Sequence, residues 1–462
     1  MNMNTIVPFA GQAMMGAPPQ ATSSDPIAPQ PADRYDEGDR AERLFYSPAI
    51  FKRASDDQVL SNPVVGQAGP TPSYSAGTLR SPRFLPDEES YFREARRLIE
   101  SARAGDMLCL QMYEFQNEAT DGDRGAAKKA PGYPDQQALL PGLAAAGRGV
   151  KVNVVLDASR GNYGERNNTA IVEYLNRVNE NGNITVDYYP PGAVNLDHVK
   201  MLLHFTPDNQ DGFQIQEALV GGTNWGNHTP ANDDGGGAFY GRDAIGAADV
   251  FFRDQAFCRG DNASSPDPRN AEGAPVEWAV TAPVAEGGGS MAIKEAKMAL
   301  TAEADEVYIN QYVLTNRDLI GEIRKKGKGA HVRVCPTMRT VNSRGLTDVR
   351  RSNGQALWAN TKMDPERFPA QKAHQKLDIY VKDRVPFALT FGSANDTANG
   401  LEVFTGMNAM ARRANHEMDA IVHRVATAEV TPEGNYSTAP FLDAALAKTK
   451  DDLKNRSSRF SR

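Results

Sequence analysis

A short constellation occurs twice in this chain of 462 residues, and the repetition narrows the folds open to it. His198-Val199-Lys200 is followed by Gly221-Gly222-Thr223-Asn224, and His374-Gln375-Lys376 by Gly392-Ser393-Ala394-Asn395. Upstream of each copy the hydrophobic periodicity passes through helices and strands in the same order. In the first half, Tyr91, Phe92, Ala95, Leu98 and Ile99 recur at helical spacing within residues 90–103. A buried strand is predicted over 107–115, a helix over 136–146, a strand over 150–156, a helix over 169–178 and a strand over 184–189. In the second half, helices over 291–302, 317–326 and 346–357 alternate with strands over 306–314 and 331–335. An internal duplication accounts for the pattern, and each half is predicted to be an α/β sandwich on a mixed sheet. The boundaries expected are 1–80 for a Pro/Ala-rich segment, 81–280 for the first half, and 281–462 for the second half with a C-terminal helix. The leading segment offers too little apolar surface to offset the entropy of ordering, so it is predicted to be largely disordered.

Each copy supplies an imidazole, an ammonium and a side-chain amide, a set suited to holding and attacking a phosphate ester. His198 and His374 can serve as nucleophile or general acid near neutral pH, while Lys200, Lys376, Asn224 and Asn395 donate hydrogen bonds to charged oxygens. Gly222 and Ser393 stand at matching places and shape the turn against a bound substrate. A lone H-x-K arises readily by chance and is usually structural; its recurrence with G-[GS]-x-N downstream favours the functional reading. His204, on the same strand as His198, reads as a packed, hydrogen-bonded histidine; His228, His331, His416 and His423 show no metal-like spacing with Cys or carboxylates, and no P-loop, dinucleotide fingerprint or zinc motif is present. Neither a metal nor an organic cofactor is therefore expected.

These motifs resemble those of the phospholipase D superfamily, H-x-K-x4-D-x6-G-S-x-N, over most of the chain beyond its first eighty or so residues. The flanks look most like the cardiolipin synthase-like bacterial branch: the Gly221-Gly222 pair, the Arg253-Asp254 step, and Asn415-His416-Glu417 before Ala420-Ile421-Val422. The chain departs from the pattern at the motif aspartate, where it has Phe205 and Val381, with Asp383 two positions beyond the second. The resemblance implies a duplicated α/β/α sandwich whose halves pack about a pseudo-two-fold axis with both motifs in one cleft. One imidazole then attacks phosphorus while the other protonates the departing oxygen. It further implies His198 as nucleophile, through a phosphohistidine, and His374 as acid, roles that the sequence alone leaves exchangeable. By the same analogy Asp254 and Glu417 hold the outer nitrogens of the imidazoles, the alternative for each being a surface ion pair. The activity implied is that of a phosphodiesterase or phosphatidyltransferase on phospholipid headgroups. A metal-independent nuclease or DNA-repair phosphodiesterase is the alternative in chemistry, and a non-catalytic membrane-binding scaffold the alternative in class. Intact His, Lys and Asn in both copies argue against the last.

Composition bears on the partners. A formal charge of -7 argues against a protein that coats nucleic acid. A local basic run nevertheless exists, from Arg324, Lys325, Lys326, Lys328 and Arg333 to Arg339, Arg344, Arg350 and Arg351, read either as a solvated face or as an attractor of anionic substrate or membrane. The stretch from Gly235 to Gly241 reads as a surface loop whose Phe239 and Tyr240 are available to a lipid interface. No run approaches the eighteen or so apolar residues of a membrane-spanning helix, so membrane contact is expected to be peripheral. Cys109, Cys258 and Cys335 are odd in number and read as small buried hydrophobes, compatible with a reducing compartment. The N-terminus has no Lys or Arg before Arg34 and its apolar residues are broken by Pro8 and Gly11, so a standard secretory signal is not expected. A cytoplasmic or peripheral membrane location is expected, with signal-independent export left open and the oligomeric state unaddressed.

Overall fold

The computed structural model describes residues 71–117, 134–158, 163–189, 196–209, 212–226, 232–260, 267–270, 274–282, 290–359, 372–403, 414–432 and 434–459. Residues 1–70 of the leading segment, and His228, lie outside the described residues.

Two mixed sheets repeat one plan. The first has eight strands, in the spatial order Arg83–Leu85, Gly236–Tyr240, Phe213–Gly221, Lys200–Pro207, Met107–Met112, Lys151–Asp157 and Ile184–Tyr189, with Tyr74–Ala76 alongside Phe213–Gly221. The second has nine: Ser290–Met291, Val276–Ala282, Glu417–His423, Val385–Gly392, Lys376–Lys382, Glu306–Gln311, Ala330–Val334, Gln355–Ala359 and Ser457–Arg459. In each, three parallel strands meet an antiparallel run that carries the motif. The parallel pairs need crossovers, which the intervening helices supply. Val276–Ala282 straddles the boundary expected after residue 280, and it pairs wholly within the second sheet, against Glu417–His423.

The sheets are buried on both faces, so motif strands read as continuous apolar runs with alternating destinations. Along Lys200–Pro207, Met201, Leu203 and Phe205 enter a central core shared by both halves, while Leu202 enters a core under the outer helices of the first half. Helices Ile245–Cys258 and Ala439–Asn455 contribute to that central core, and Phe239, Trp278, Phe391 and Phe441 pack there ring on ring. Local signals set the ends: Asp87 and Ser90 form a capping box that starts the first outer helix at Glu88.

Three expectations change. Residues 346–357 are not one helix: Arg339–Arg351 is helical, Asn353 turns at φ 68°, and Gln355–Ala359 is a sheet strand. A side chain such as Asn tolerates that left-handed turn, which frees the apolar Ala356, Leu357 and Trp358 to pair with Ala330–Val334. The glycine-rich stretch is no surface loop but the strand Gly236–Tyr240, with Phe239 fully buried and Tyr240 nearly so. Its glycines are needed for close approach: a Cβ on Gly237 would lie 2.7 Å from Phe391 and 2.9 Å from Phe441. The basic run is not one face either, because Arg333 is buried against Asp233 and Lys326 caps the carbonyls of Ala302 and Ala304.

Candidate functional site

Each motif histidine sits just before its strand, where the chain is stitched to the other half. The His198 amide donates to the His416 carbonyl at 2.8 Å, and the His416 amide to the Leu196 carbonyl at 2.8 Å. Across the pseudo-two-fold axis, Lys372–Ala373 pairs with Asn232–Asp233, and the His374 amide donates to the Asp233 carbonyl at 3.0 Å. These cross-half bridges bring the two copies together: the Ser393 carbonyl of the second lies 3.0 Å from Nδ1 of His198 in the first.

The first imidazole is held by Glu417, whose Oε2 lies 2.9 Å from His198 Nδ1. Both partners of Nδ1, a carbonyl and a carboxylate, accept only, so Nδ1 carries the proton and the neutral ring keeps its lone pair on Nε2. Glu417 also accepts from Ser393 Oγ at 2.6 Å and from Asn415 Nδ2 at 3.0 Å. Burial alone would raise its pKa, but His198, Lys200 and Ser393 outweigh it and hold the carboxyl below its ordinary value. His198 itself is pushed down to about 4 by burial and by Lys200 and Lys376, with Glu417 acting the other way.

The second imidazole has a different carboxylate. His374 Nδ1 lies 2.6 Å from Asp234 Oδ2 and 2.7 Å from the Lys376 ammonium, which also donates to the His374 carbonyl at 2.7 Å. Burial lifts Asp234 to about 7 against the pull of Lys376 and of the Gly235 amide. Lys200 is likewise brought down to about 7, by burial and by Lys376, and Lys376 is lowered by burial. Tyr113 and Tyr312 flank the imidazoles at matching places, ring centroids 5.1 Å from His198 and 4.9 Å from His374. Asn224 and Asn395 each keep a buried Oδ1 with no hydrogen-bond partner among the described residues, so each amide has hydrogen-bonding capacity unspent on the protein.

His198, Lys200, His374, Lys376 and Glu417 thus converge, with Gly222 against Asp234 and Ser393 against Glu417. Asp254 does not join them. It projects from the helix Ile245–Cys258 into the core, where it accepts from His416 Nε2 and Gln111 Nε2, both at 2.8 Å, and from Arg253. Burial would raise it, yet Arg253, His416 and Gln111 hold it at about 2. Asp254 therefore supports the bridge that carries His198 without touching either motif imidazole. The helix Ala439–Asn455 makes the matching reach with opposite charge, Lys448 Nζ donating to Asp233 Oδ1 at 3.1 Å. Asp383 stands in a hairpin turn at φ 51° and takes no part, while Phe205 is buried in the central core. His204 pairs with Asp106 at 2.9 Å, away from the motifs. Among the described residues no group of three His, Cys, Asp or Glu side chains is placed to hold a metal ion, and no helix is long and apolar enough to cross a membrane.

No protein-family model and no curated protein matches the sequence. Solved structures do match. Phosphatidylserine synthase from Haemophilus influenzae Rd KW20 is similar at a TM-score of 0.52 and 12% identity, over 92% of each chain. Polyphosphate kinase from Porphyromonas gingivalis matches at 0.46 and 13% identity over 80% of this chain, which spans 50% of that protein. Nuc, a phospholipase D family member from Salmonella typhimurium, matches at 0.27 and 14% identity over 40% of this chain and 98% of its own. With two matching sheets stitched together at the motif histidines, and a likeness that runs nearly end to end along the first of these structures, the chain has the duplicated, phospholipase D-like α/β fold that the sequence resemblance implied.

Proposed function

We propose that the protein is a phospholipase D-type phosphodiesterase or phosphatidyltransferase that works through a phosphohistidine. The observation that carries this reading is the pair of buried imidazoles from opposite halves, each held at Nδ1 by a buried carboxylate and each beside a buried lysine. Nε2 of His198 is the nucleophile: the ring is neutral near pH 7 and its proton lies on Nδ1. As the N–P bond forms, the bond from phosphorus to the leaving oxygen breaks, and His374 gives that oxygen its proton. The Asp234–His374–Lys376 cluster retains a proton near neutrality, which suits it to the acid role. Water, or an acceptor alcohol, then attacks the phosphorus, the N–P bond breaks to free Nε2 of His198, and the attacking oxygen's proton passes to His374. Lys200, Lys376, Asn224 and Asn395 compensate the charge on the phosphoryl oxygens.

Phospholipid headgroups are the proposed substrate. The support is the cardiolipin synthase-like flanks, Arg253-Asp254 and Asn415-His416-Glu417, and a neighbour described as a phosphatidylserine synthase. The test is turnover of phosphatidylglycerol vesicles and of single-stranded DNA, side by side and in EDTA, by the wild type, His198→Asn and His374→Asn. Each substitution should abolish turnover of the lipid in a folded protein, and His374→Asn should trap the phosphoryl group on His198. Near-full activity in both variants would refute the two-histidine reading; turnover of DNA alone would move the protein to the nuclease branch; loss of activity in EDTA with metal-specific recovery would refute the metal-free mechanism.

A further inference from the structure

Four fully buried charged side chains lie behind the second motif, and the mechanism above uses none of them. Lys297, on the helix Ala292–Glu303, places its ammonium 2.7 Å from Asp378, 2.8 Å from Asp396 and 3.6 Å from Asp419. The three aspartates stand two residues after Lys376, one after Asn395 and two after Glu417, so one cation gathers the three segments of the second half-site. The matching positions in the first half are Leu202, Trp225 and Gly236, which build an ordinary packed core. One ammonium among three buried carboxyl groups, of which burial and Asp378 push Asp396 well above its ordinary value, is a poor arrangement for a device that merely stabilises, because a buried ion group gains little over a well-packed apolar one.

Asp419 is the member that reaches the site. Its Oδ1 accepts the Ala394 amide at 3.0 Å, which fixes the turn between Ser393 and Asn395. Gly392 packs against it so closely that a Cβ there would lie 2.5 Å from the same oxygen. Its charge also acts on Lys376, a buried ammonium held mainly by Asp234 and Glu417.

We propose that Asp419, anchored by Lys297 with Asp378 and Asp396, is a positioning residue of the second half-site that fixes the Ser393–Asn395 turn and keeps the Lys376 ammonium charged for an anionic phosphate. The inference rests on the phosphodiester reading of the site. The charged and titratable groups facing the cluster are Lys297 from the helix, Asp378, Tyr380 and Lys376 from one strand, Asp396 from the turn, and Glu417 beside Asp419. Burial brings Asp419 up to about 6, against Lys297 and the Ala394 amide, so it gains its charge in the range where a phosphate site works.

Asp419→Asn keeps an acceptor for the Ala394 amide and removes the charge. Its affinity for inorganic phosphate, and its kcat/KM on a phosphodiester, should fall several-fold relative to wild type at pH 8 and stay within about twofold at pH 5.5, where Asp419 is itself mostly protonated. A purely structural role would give the same loss at both pH values, and that result, or no loss at either, overturns the proposal. A second measurement needs no substitution: in the wild type, the Lys376 ammonium resonance should show an inflection at the midpoint where the Asp419 carboxyl titrates, and its absence there also overturns the proposal. A wild type that neither binds phosphate nor turns over any phosphodiester would instead sink the proposed function.

Discussion

Replacing Glu417 with Gln removes one negative charge from the site and almost no volume. The carboxylate has three donors, His198 Nδ1 and Ser393 Oγ on Oε2 and Asn415 Nδ2 on Oε1. An amide has one oxygen only. If it faces His198 and Ser393, its NH2 meets the NH2 of Asn415 and one buried bond is lost. If it turns round, the NH2 donates to Nδ1, the imidazole proton moves to Nε2, and the proposed nucleophilic lone pair disappears. The first orientation forfeits a charge-assisted hydrogen bond, roughly 1.5–3 kcal/mol, or about 10- to 150-fold in rate. The second resembles loss of the orienting aspartate in a serine-protease triad, where the wrong tautomer costs about 10⁴ in kcat. Glu417→Gln should therefore lower kcat by about 10- to 10⁴-fold with KM changed less than about threefold, since the lysines and asparagines proposed to bind phosphate are untouched. A small phosphodiester with a chromogenic leaving group, assayed at pH 7 on protein whose thermal unfolding has been checked, measures it. A folded variant within about threefold of wild type would refute the claim that this carboxylate sets the tautomer of His198.

Asp254→Asn should spend its effect on stability, by about 3 kcal/mol or more if His416 and Arg253 are left partly unpaired, because removing one partner of a buried ion pair strands the other; a thermal midpoint unchanged from wild type would contradict this. His198 should stay neutral to about pH 4 in an NMR titration of its ring, and a midpoint near 6.5 would refute the burial account. The folded chain favours the neutral ring, so this group's contribution is full above the unfolded value of 6.5 and lost as the pH falls towards 4, about 3 kcal/mol in all, readable as the difference between wild type and His198→Asn in urea unfolding. Gly237→Ala should lower stability by about 1–3 kcal/mol through overpacking against Phe391 and Phe441, and a neutral result would place slack where the halves meet.

The two motifs, the duplication and the alternation of helices and strands were legible because each is a local pattern. Glu417 was legible from its flank. Asp234 was not, since it reaches His374 through pairing of Asn232–Asp233 with Lys372–Ala373, a contact between distant segments that no periodicity encodes. A signal did exist: Asp234 stands two residues before its strand Gly236–Tyr240, while Glu417 opens the matching strand, and superposing the two halves would have paired them. The same comparison would have found Tyr113 and Tyr312, each next after the first of the three parallel strands of its sheet, which ends in Met112 or Gln311. The Arg253-Asp254 step points instead to Asp254, on the family analogy alone. Its partner is His416, one residue before Glu417, so it supports the right strand from behind. The glycine run misled for a related reason: glycine marks turns more often than close packing, and only the rings of Phe391 and Phe441 decide between them.

The duplication is inexact at one place where inexactness has chemical consequences. In the second copy Ser393 donates its hydroxyl to Glu417; in the first, Gly222 stands opposite Asp234 and has none to give. The two exchanges depend on each other. Aspartate is one methylene shorter, and its carboxylate lies where a Cβ on Gly222 would be only 2.6 Å from Oδ1, so only glycine fits beside it. With one backbone amide as its fixed donor, Asp234 is lifted by burial to about 7, whereas Glu417, with a hydroxyl and an amide besides the imidazole, stays below its ordinary range. Near neutral pH one half-site therefore holds an ionised carboxylate against a neutral ring, and the other a carboxyl still partly protonated beside its imidazole and lysine. A displacement at phosphorus uses one base and one acid, and that inequality favours His198 for the first role and His374 for the second. The proposed division of labour between His198 and His374 thus follows from a Gly–Asp pair set against a Ser–Glu pair.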